Sequence, residues 1–301
     1  MPSANSQPTA TRRRRSSPDL SAAQRLRLRF LESVVVWEGA VHRQRLVEMF
    51  GVTENHVSRD FKLYTGRHPH NLTYDLSRKR YLPTAKFRPQ YASGSADEYL
   101  AMLRMVCDSG DLRLPGMPAP TEADVVPLTC GGVDAKTLQA ITRAITDRTG
   151  LEVVYQSMRR PEPAKHSLWP HALVFSGTRW HARAYDLDAG SFRDFVLPRL
   201  TVKASLTQEC PEGAPERDAD WTSRVKLEVK PAGRLSDPQR QAIAREYGMA
   251  GAAGEEKWTL SLRTCLVPYF LHLHRLDSKD RKPFLELLDT SMVERHKFPD
   301  P

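Results

Sequence analysis

Between Ser21 and Tyr64 apolar residues recur at helical spacing, broken only at Gly39 and Gly51, and beyond Pro69 the period falls to two. That change of period predicts three short helices followed by a hairpin, an α+β arrangement, for the first third of the chain. In the first stretch Leu26, Phe30, Val34 and Trp37 form the stripe and Gly39 supplies the stop. A second helix fits Arg43 to Phe50, with Leu46, Val47 and Phe50 inward and Gly51 ending it. A third, capped by Thr53, runs from Glu54 to about Tyr64 with Val57, Phe61 and Tyr64 on one face. At 100° per residue the opposite side carries Asn55, Arg59 and Lys62, flanked by His56 and Ser58. Two helices joined by a tight turn, the second showing base- and phosphate-reading side chains, form the helix-turn-helix pattern.

After Pro69 the alternation of Leu72, Tyr74 and Leu76 predicts a half-buried strand, and a second fits Tyr81 to Phe87. The turn between them, Ser77 to Arg80, gathers three cations, as a wing that grips phosphate would, although an ordinary exposed hairpin reads the same way. Charge favours the first reading. Residues 1–95 hold 17 Lys/Arg against 7 Asp/Glu, and residues 96–301 hold 28 against 29, so the whole excess behind the net +9 lies in the first third. The expected partner is double-stranded DNA, contacted by Thr53, Asn55, His56, Ser58, Arg59, Lys62, Arg78 and Lys79.

At 301 residues the chain is long enough for two or three domains. It has no apolar run that would span a bilayer, and Arg12 to Arg15 are not followed by a signal-peptide core, so the cytoplasm is the expected location. Cys107, Cys130, Cys210 and Cys265 are too scattered for a zinc site or a disulfide framework and read as reduced, mostly buried thiols. No Walker loop, GxSxG elbow, HExxH or dinucleotide fingerprint is present, so neither an enzyme nor a cofactor is expected. The pairs His68/His70 and His272/His274 lack neighbouring carboxylates or cysteines in sequence and read as surface or core histidines, the second pair on one face of a strand.

Downstream, Ser95 to Cys107 reads as a helix, then a Pro/Gly-rich stretch from Gly110 to Pro127, then a helix from Asp134 to Arg148 ended by Gly150. Five short strands follow, Leu151–Met158, Leu168–Phe175, Arg179–Asp186, Phe192–Leu197 and Thr201–Leu206, as expected of a small barrel rather than a parallel α/β sheet. A charged, Pro-rich segment, Glu209 to Asp220, reads as a linker. Beyond it Val225–Val229 is expected as a strand, Pro238–Tyr247 as a helix, Trp258–Leu262 as a strand and Val267–Leu276 as either. This small α+β domain offers Leu266, Phe270 and Leu273 to a dimer interface.

The run Arg179 to Asp186 (RWHARAYD) followed by Phe192 to Leu200 (FRDFVLPRL) resembles the core of WYL-domain transcription regulators, and VYQS at Val154–Ser157 and LWPHA at Leu168–Ala172 resemble that domain's first two strands. The wording is similar to the BrxR/CapW type, repressors associated with bacterial phage-defence operons. The naming triplet appears here as Trp180-His181-Ala182, and Pro198 stands where an Asp is usual. The start of the chain, rich in Ser, Pro, Thr, Ala and Arg without periodicity, reads as a disordered basic arm (1–20), and the resemblance implies a multidomain α+β chain beyond it: a winged helix-turn-helix (21–91), a linker helix and loop (92–133), an Sm-like β-barrel WYL domain (134–207) and a C-terminal extension (208–301). It further implies a homodimeric bacterial repressor on an inverted-repeat operator, with a nucleotide or nucleic-acid effector held by Tyr155, Ser157, His171, His181, Arg183, Arg193 and Arg199. Strand alternation puts His181, Arg183 and Tyr185 on one face, suited to an anionic or base-bearing ligand. The same arginines could instead form internal ion pairs with Asp186 or Asp194. A WYL-based module that binds single-stranded nucleic acid or protein without operator specificity is the alternative function.

Overall fold

The structure, a computed structural model, describes residues 20–109, 122–126, 132–252, 254–277, 282–296 and 298. The chain forms two compact units, residues 1–127 and 128–301. The basic arm before Leu20, most of the stretch from Gly110 to Pro127, and Cys130 lie outside the described residues.

In the first unit, helices α1 (Ala22–Glu38), α2 (Arg43–Phe50) and α3 (Glu54–Arg67) precede a hairpin of β1 (Leu72–Asp75) and β2 (Arg80–Pro83), and α4 (Ala96–Ser109) follows. The punctuation acts as the residue chemistry requires. Ser21 Oγ accepts from Gln24 N, while Gly39 (φ 72°) and Gly51 (φ 60°) close α1 and α2 in the left-handed region with N–H bonds to Val35 O and Val47 O. Leu28, Phe30, Leu31, Val34 and Val35 of α1 pack against Leu46, Val57, Phe61, Tyr64 and Leu72. Burying each of the larger of these side chains contributes on the order of 1.5–3 kcal/mol.

Three expectations are corrected here. Leu26 and Trp37 stay outside the core, at 44% and 36% exposure; Trp37 instead stacks on Tyr99 of α4 at 4.6 Å. The second strand stops at Pro83, short of Phe87. The first strand is not half-buried by alternation: of Leu72, Tyr74 and Leu76 only Leu72 is buried, and Leu76 is 82% exposed. Tyr74 packs instead on Tyr81 at 4.7 Å, and Tyr81 on Phe61 at 4.2 Å, so the wing is fastened to α3 by stacked rings.

The side chain of Glu32, fully buried in α1, accepts hydrogen bonds from Tyr64 Oη (2.7 Å) and from the backbone N–H groups of Gln90, Tyr91 and Ala92. Asn71 Nδ2 donates in turn to Tyr64 Oη (2.9 Å) and to Arg88 O (2.8 Å). A carboxyl with that many donors can sit in an apolar core because each lone pair is used.

In the second unit α5 (Ala135–Asp147) precedes β3 (Gly150–Tyr155), β4 (Ala164–Phe175), β5 (Trp180–Asp186), β6 (Ser191–Val196) and β7 (Leu200–Leu206). These make a five-stranded antiparallel sheet in the order β6-β5-β4-β3-β7. Ile141 and Ala144 of α5 pack on Leu151, Val153, Leu168, Ala182, Ala184 and Phe195, closing one face. The helix ends on Arg148 (φ 55°) rather than on Gly150, which opens β3. Gly150 is needed for another reason. A Cβ there would stand 2.6 Å from Trp169 Cε2, and one at Gly213 2.9 Å from Trp169 Cβ, so the two glycines make the slot for that indole.

The segment expected as a linker is packed structure. After two 3-10 turns, α6 (Ala219–Thr222) leads into β8 (Arg224–Pro231), α7 (Asp237–Glu246), β9 (Trp258–Arg263), α8 (Val267–Leu273), β10 (Leu285–Leu287) and α9 (Ser291–His296), with sheet order β10-β8-β9. The stretch from Val267 is thus a helix. β10 and α9 were not foreseen, being too short to show a period. Phe270 lies in this domain's own core, and of the three proposed interface residues only Leu273 is exposed. No helix among the described residues is long and apolar enough to cross a membrane.

Candidate nucleic-acid interface and WYL site

The α3 helix places its two faces as its sequence dictates: Val57, Phe61 and Tyr64 are buried, and Asn55, His56, Arg59 and Lys62 are exposed, with Ser58 half-buried. Thr53 Oγ1 caps the helix at His56 N and also lies 2.9 Å from His56 Nδ1, so that ring is held at the helix start. Glu54 is the one acidic residue in the first turn. The other acid of the helix, Asp60, points inward at 1% exposure and is paired by Arg27 of α1, Nε to Oδ2 at 2.5 Å. The consequence is electrostatic. Among the described residues no carboxylate lies within ion-pair distance of Arg59 or Lys62, so both cations are available to an external anion.

At the wing, Asp75 Oδ1 accepts from Ser77 N, Ser77 Oγ and Arg78 N, which fixes the turn and holds its carboxyl below the usual range. Lys79 occupies the tip at φ 51°, and Arg78 and Lys79 are exposed. Arg43, which the sequence reading passed over, packs on the strands of the wing. Its guanidinium lies 5.6 Å from the ring centroids of both Tyr74 and Tyr81, and Nη2 donates to Tyr81 Oη at 2.9 Å. A signal existed in the arginine at the start of a helix beside aromatic wing residues, but only the packing brings them together.

The seven residues nominated in the WYL domain separate into groups. Arg183 and His181 are buried on one face of β5, each 4% exposed, beside a His171 side chain that is 3% exposed. Arg183 grips Asp218 with Nε to Oδ2 at 2.6 Å and Nη2 to Oδ1 at 2.8 Å, and reaches Asp194 through Nη1 at 3.1 Å. His171 Nε2 lies 2.9 Å from Asp218 Oδ2, and Tyr269 Oη donates to Asp194 at 3.0 Å. Burial opposes each charge, yet the partners prevail. It would raise Asp218, but bonds from His171 and Arg183 draw that carboxyl down to about 2, and Arg183, despite desolvation, is held above its ordinary value by Asp218 and Asp194. Burial depresses His181 and pushes the Cys265 thiol, also near Arg183, up to about 11.

Tyr155 and Arg193 lie elsewhere, on the α5-facing side of the sheet near its rim. Tyr155 packs edge-on to Phe195 at 5.0 Å; Arg193, half exposed, reaches Asp186 Oδ2 at 3.0 Å. Ser157 Oγ accepts from Arg159 N, and Arg199 O accepts from Gln156 N, so these two sit at the exit of β3. Among the described residues the grouping with metal-ligand character is His166, Asp186 and Asp188, but Arg193 already supplies the cation at Asp186. His272 does have a carboxylate partner, Asp277 at 2.7 Å, and His274 is half-buried among aromatic rings. Cys107 and Cys210 are half-buried and Cys265 buried, all as free thiols.

A winged three-helix unit with an exposed polar helix, carried on one chain with a WYL sheet and a small α+β domain, defines a WYL-type transcription regulator. Residues 23–105 match the BrxR transcriptional regulator winged helix-turn-helix domain, 136–203 the WYL domain and 224–289 the BrxR C-terminal dimerization domain. The chain is 32% identical over 251 residues to the DNA-binding transcriptional repressor CapW of Escherichia coli, covering 82% of this chain and 81% of that one. It is 33% identical over 258 residues to CapW of Stenotrophomonas maltophilia (85% and 84%) and 29% over 282 residues to that of Pseudomonas aeruginosa (92% and 91%). The chain belongs to the BrxR/CapW family of DNA-binding transcriptional repressors.

Proposed function

We propose that the protein is a homodimeric repressor of a phage-defence operon, reading an inverted repeat with α3 of each protomer and changing its hold on that repeat when a nucleotide or nucleic-acid effector binds the WYL domain. The observation that carries the DNA reading is the exposed side of α3, where Arg59 and Lys62 are free of carboxylates while Asp60 is turned inward onto Arg27. Asn55, Ser58, Arg59 and Lys62 face bases and adjacent phosphates; Thr53 and His56 set the helix start against the backbone; Arg78, Lys79 and Arg43 hold phosphates beside the groove. Dimerisation follows from the small reading frame of one winged unit and from the similarity of residues 224–289 to a dimerization domain. The effector reading is supported by the buried polar cluster of Arg183 and His171, with His181 on the same face of β5 as its further candidate.

The test is footprinting on DNA upstream of the protein's own gene, with titration of Arg59→Ala and Lys62→Ala. Each loss of a base contact is expected to cost about 1–3 kcal/mol on the protected sequence and less on scrambled duplex. Unchanged affinity for both variants at physiological salt would show that α3 does not read the operator.

A further inference from the structure

Asp218 belongs to the segment between the WYL sheet and β8, yet it is among the most buried carboxylates of the chain, at 1% exposure. It occupies the Arg183 fork in bidentate fashion, the geometry in which a guanidinium takes a phosphate, and it also holds His171. Two further acids of this segment face WYL cations: Glu216 lies 3.6 Å from Arg148, and Asp220 3.9 Å from Arg183. The segment therefore lays carboxylates at positions 216, 218 and 220 on the basic groups of the domain.

Beside this contact is a cavity of about 750 Å³, within the size range of small-molecule sites. His171, Trp169 and Arg148 line it, together with Cys210, Gly213 and Pro215 of the segment itself. His171 contributes a further observation. Its Nε2 is committed to Asp218, while its buried Nδ1 has no partner among the described residues. A buried ring nitrogen left unsatisfied costs free energy, and a ligand in the adjoining cavity would relieve it.

We propose that Asp218 is an internal stand-in for the effector: a phosphate-bearing ligand entering the cavity beside His171 displaces the Asp218 carboxylate from Arg183 and His171 and frees the segment. This rests on the reading of the WYL domain as a sensor and adds what the sensor exchanges. The released segment is coupled to the C-terminal domain. Asp218 caps α6 through Trp221 N at 3.1 Å; the Trp221 ring lies under Arg263 at 4.0 Å; Arg263 Nη1 donates to Trp221 O, and Thr264 N to Ser223 O at 3.2 Å. Ejecting Asp218 thus moves the end of β9, inside the region similar to the dimerization domain.

An internal occupant lowers the apparent affinity for its competitor by the fraction of time it holds the site. Asp218→Asn keeps the shape and weakens the occupant. The full-length variant should therefore bind a phosphate probe roughly 10- to 100-fold more tightly than the wild type, if the native contact is closed 90–99% of the time. Inorganic phosphate, thymidine 5′-monophosphate and a short 5′-phosphorylated oligothymidylate, titrated by calorimetry at fixed ionic strength, distinguish a free nucleotide from a nucleic-acid end. A thermal melt checks that the variant is folded. Folded Asp218→Asn binding no probe more tightly than the wild type overturns the proposal. If the variant does not fold, hydrogen exchange of residues 216–223 in the wild type decides: faster exchange with saturating probe supports displacement, and unchanged exchange overturns it. A probe that releases operator DNA while leaving those amides protected would sink the stand-in and spare the sensor. No binding by either protein, and no effect on operator binding, would remove both.

Discussion

Replacing Glu32 tests the polar interior of the winged unit more sharply than any apolar deletion. Its carboxyl is 0% exposed and serves four donors, Tyr64 Oη and the N–H groups of Gln90, Tyr91 and Ala92. Glutamine at this position has one carbonyl oxygen to offer and turns an NH₂ group toward donors, so about two of the four lose their acceptor. A hydrogen bond to a charged group contributes about 1.5–3 kcal/mol. Gln90 is exposed and regains water, whereas Tyr64 is buried and does not. The expected loss is therefore about 3 kcal/mol for Glu32→Gln and about 3–5 kcal/mol for Glu32→Ala, which also leaves a void. Tyr64→Phe removes one donor and should cost about 1–2 kcal/mol, since Asn71 keeps its bond to Arg88 O. Urea titration read by hydrogen exchange of peptides within residues 20–109 isolates this unit from the second. If both Glu32 variants lose less than about 1 kcal/mol, the segment after the wing is not held by this carboxyl and the reasoning fails.

At the wing, Lys79→Ala should weaken operator and scrambled duplex alike and flatten the salt dependence of binding by about 0.9 per protomer in log–log slope; an unchanged slope would take the tip off the phosphate backbone. Gly150→Ala places a methyl against the Trp169 ring and should destabilise the second unit by about 1–3 kcal/mol, with a shift in tryptophan emission as the indole moves; a neutral melt would mean the slot is slack. The carboxyl of Asp218 lies at about 2, below its usual value of 3.8, so its stabilising contribution is full above that usual value and is lost as pH falls through about 2. The melting temperatures of the wild type and Asp218→Asn should therefore converge as pH is lowered from about 4 toward 2, and a constant gap would contradict the assignment.

Much of this protein was legible in its sequence because the relevant signals are local. The period of Val57, Phe61 and Tyr64 fixes which side of α3 is buried, hence which side shows Asn55, Arg59 and Lys62, and Thr53 and Gly51 fix where the helices begin and end. The alternation of His181, Arg183 and Tyr185 likewise placed them on one face of β5, while the order of the strands in the sheet came from the structure. Only the tertiary structure decided what those faces meet. Asp218 lies 35 residues from Arg183, in a stretch whose charge and prolines read as a solvated linker, and Glu32 finds Tyr91 across 59 residues. A carboxylate has the same signature in sequence whether water or a buried guanidinium satisfies it, because periodicity reports the direction of a side chain and not its distant partner. For the same reason Tyr155 and Arg193 were grouped with Arg183 by motif, while the pleat sent them to the opposite side of the sheet.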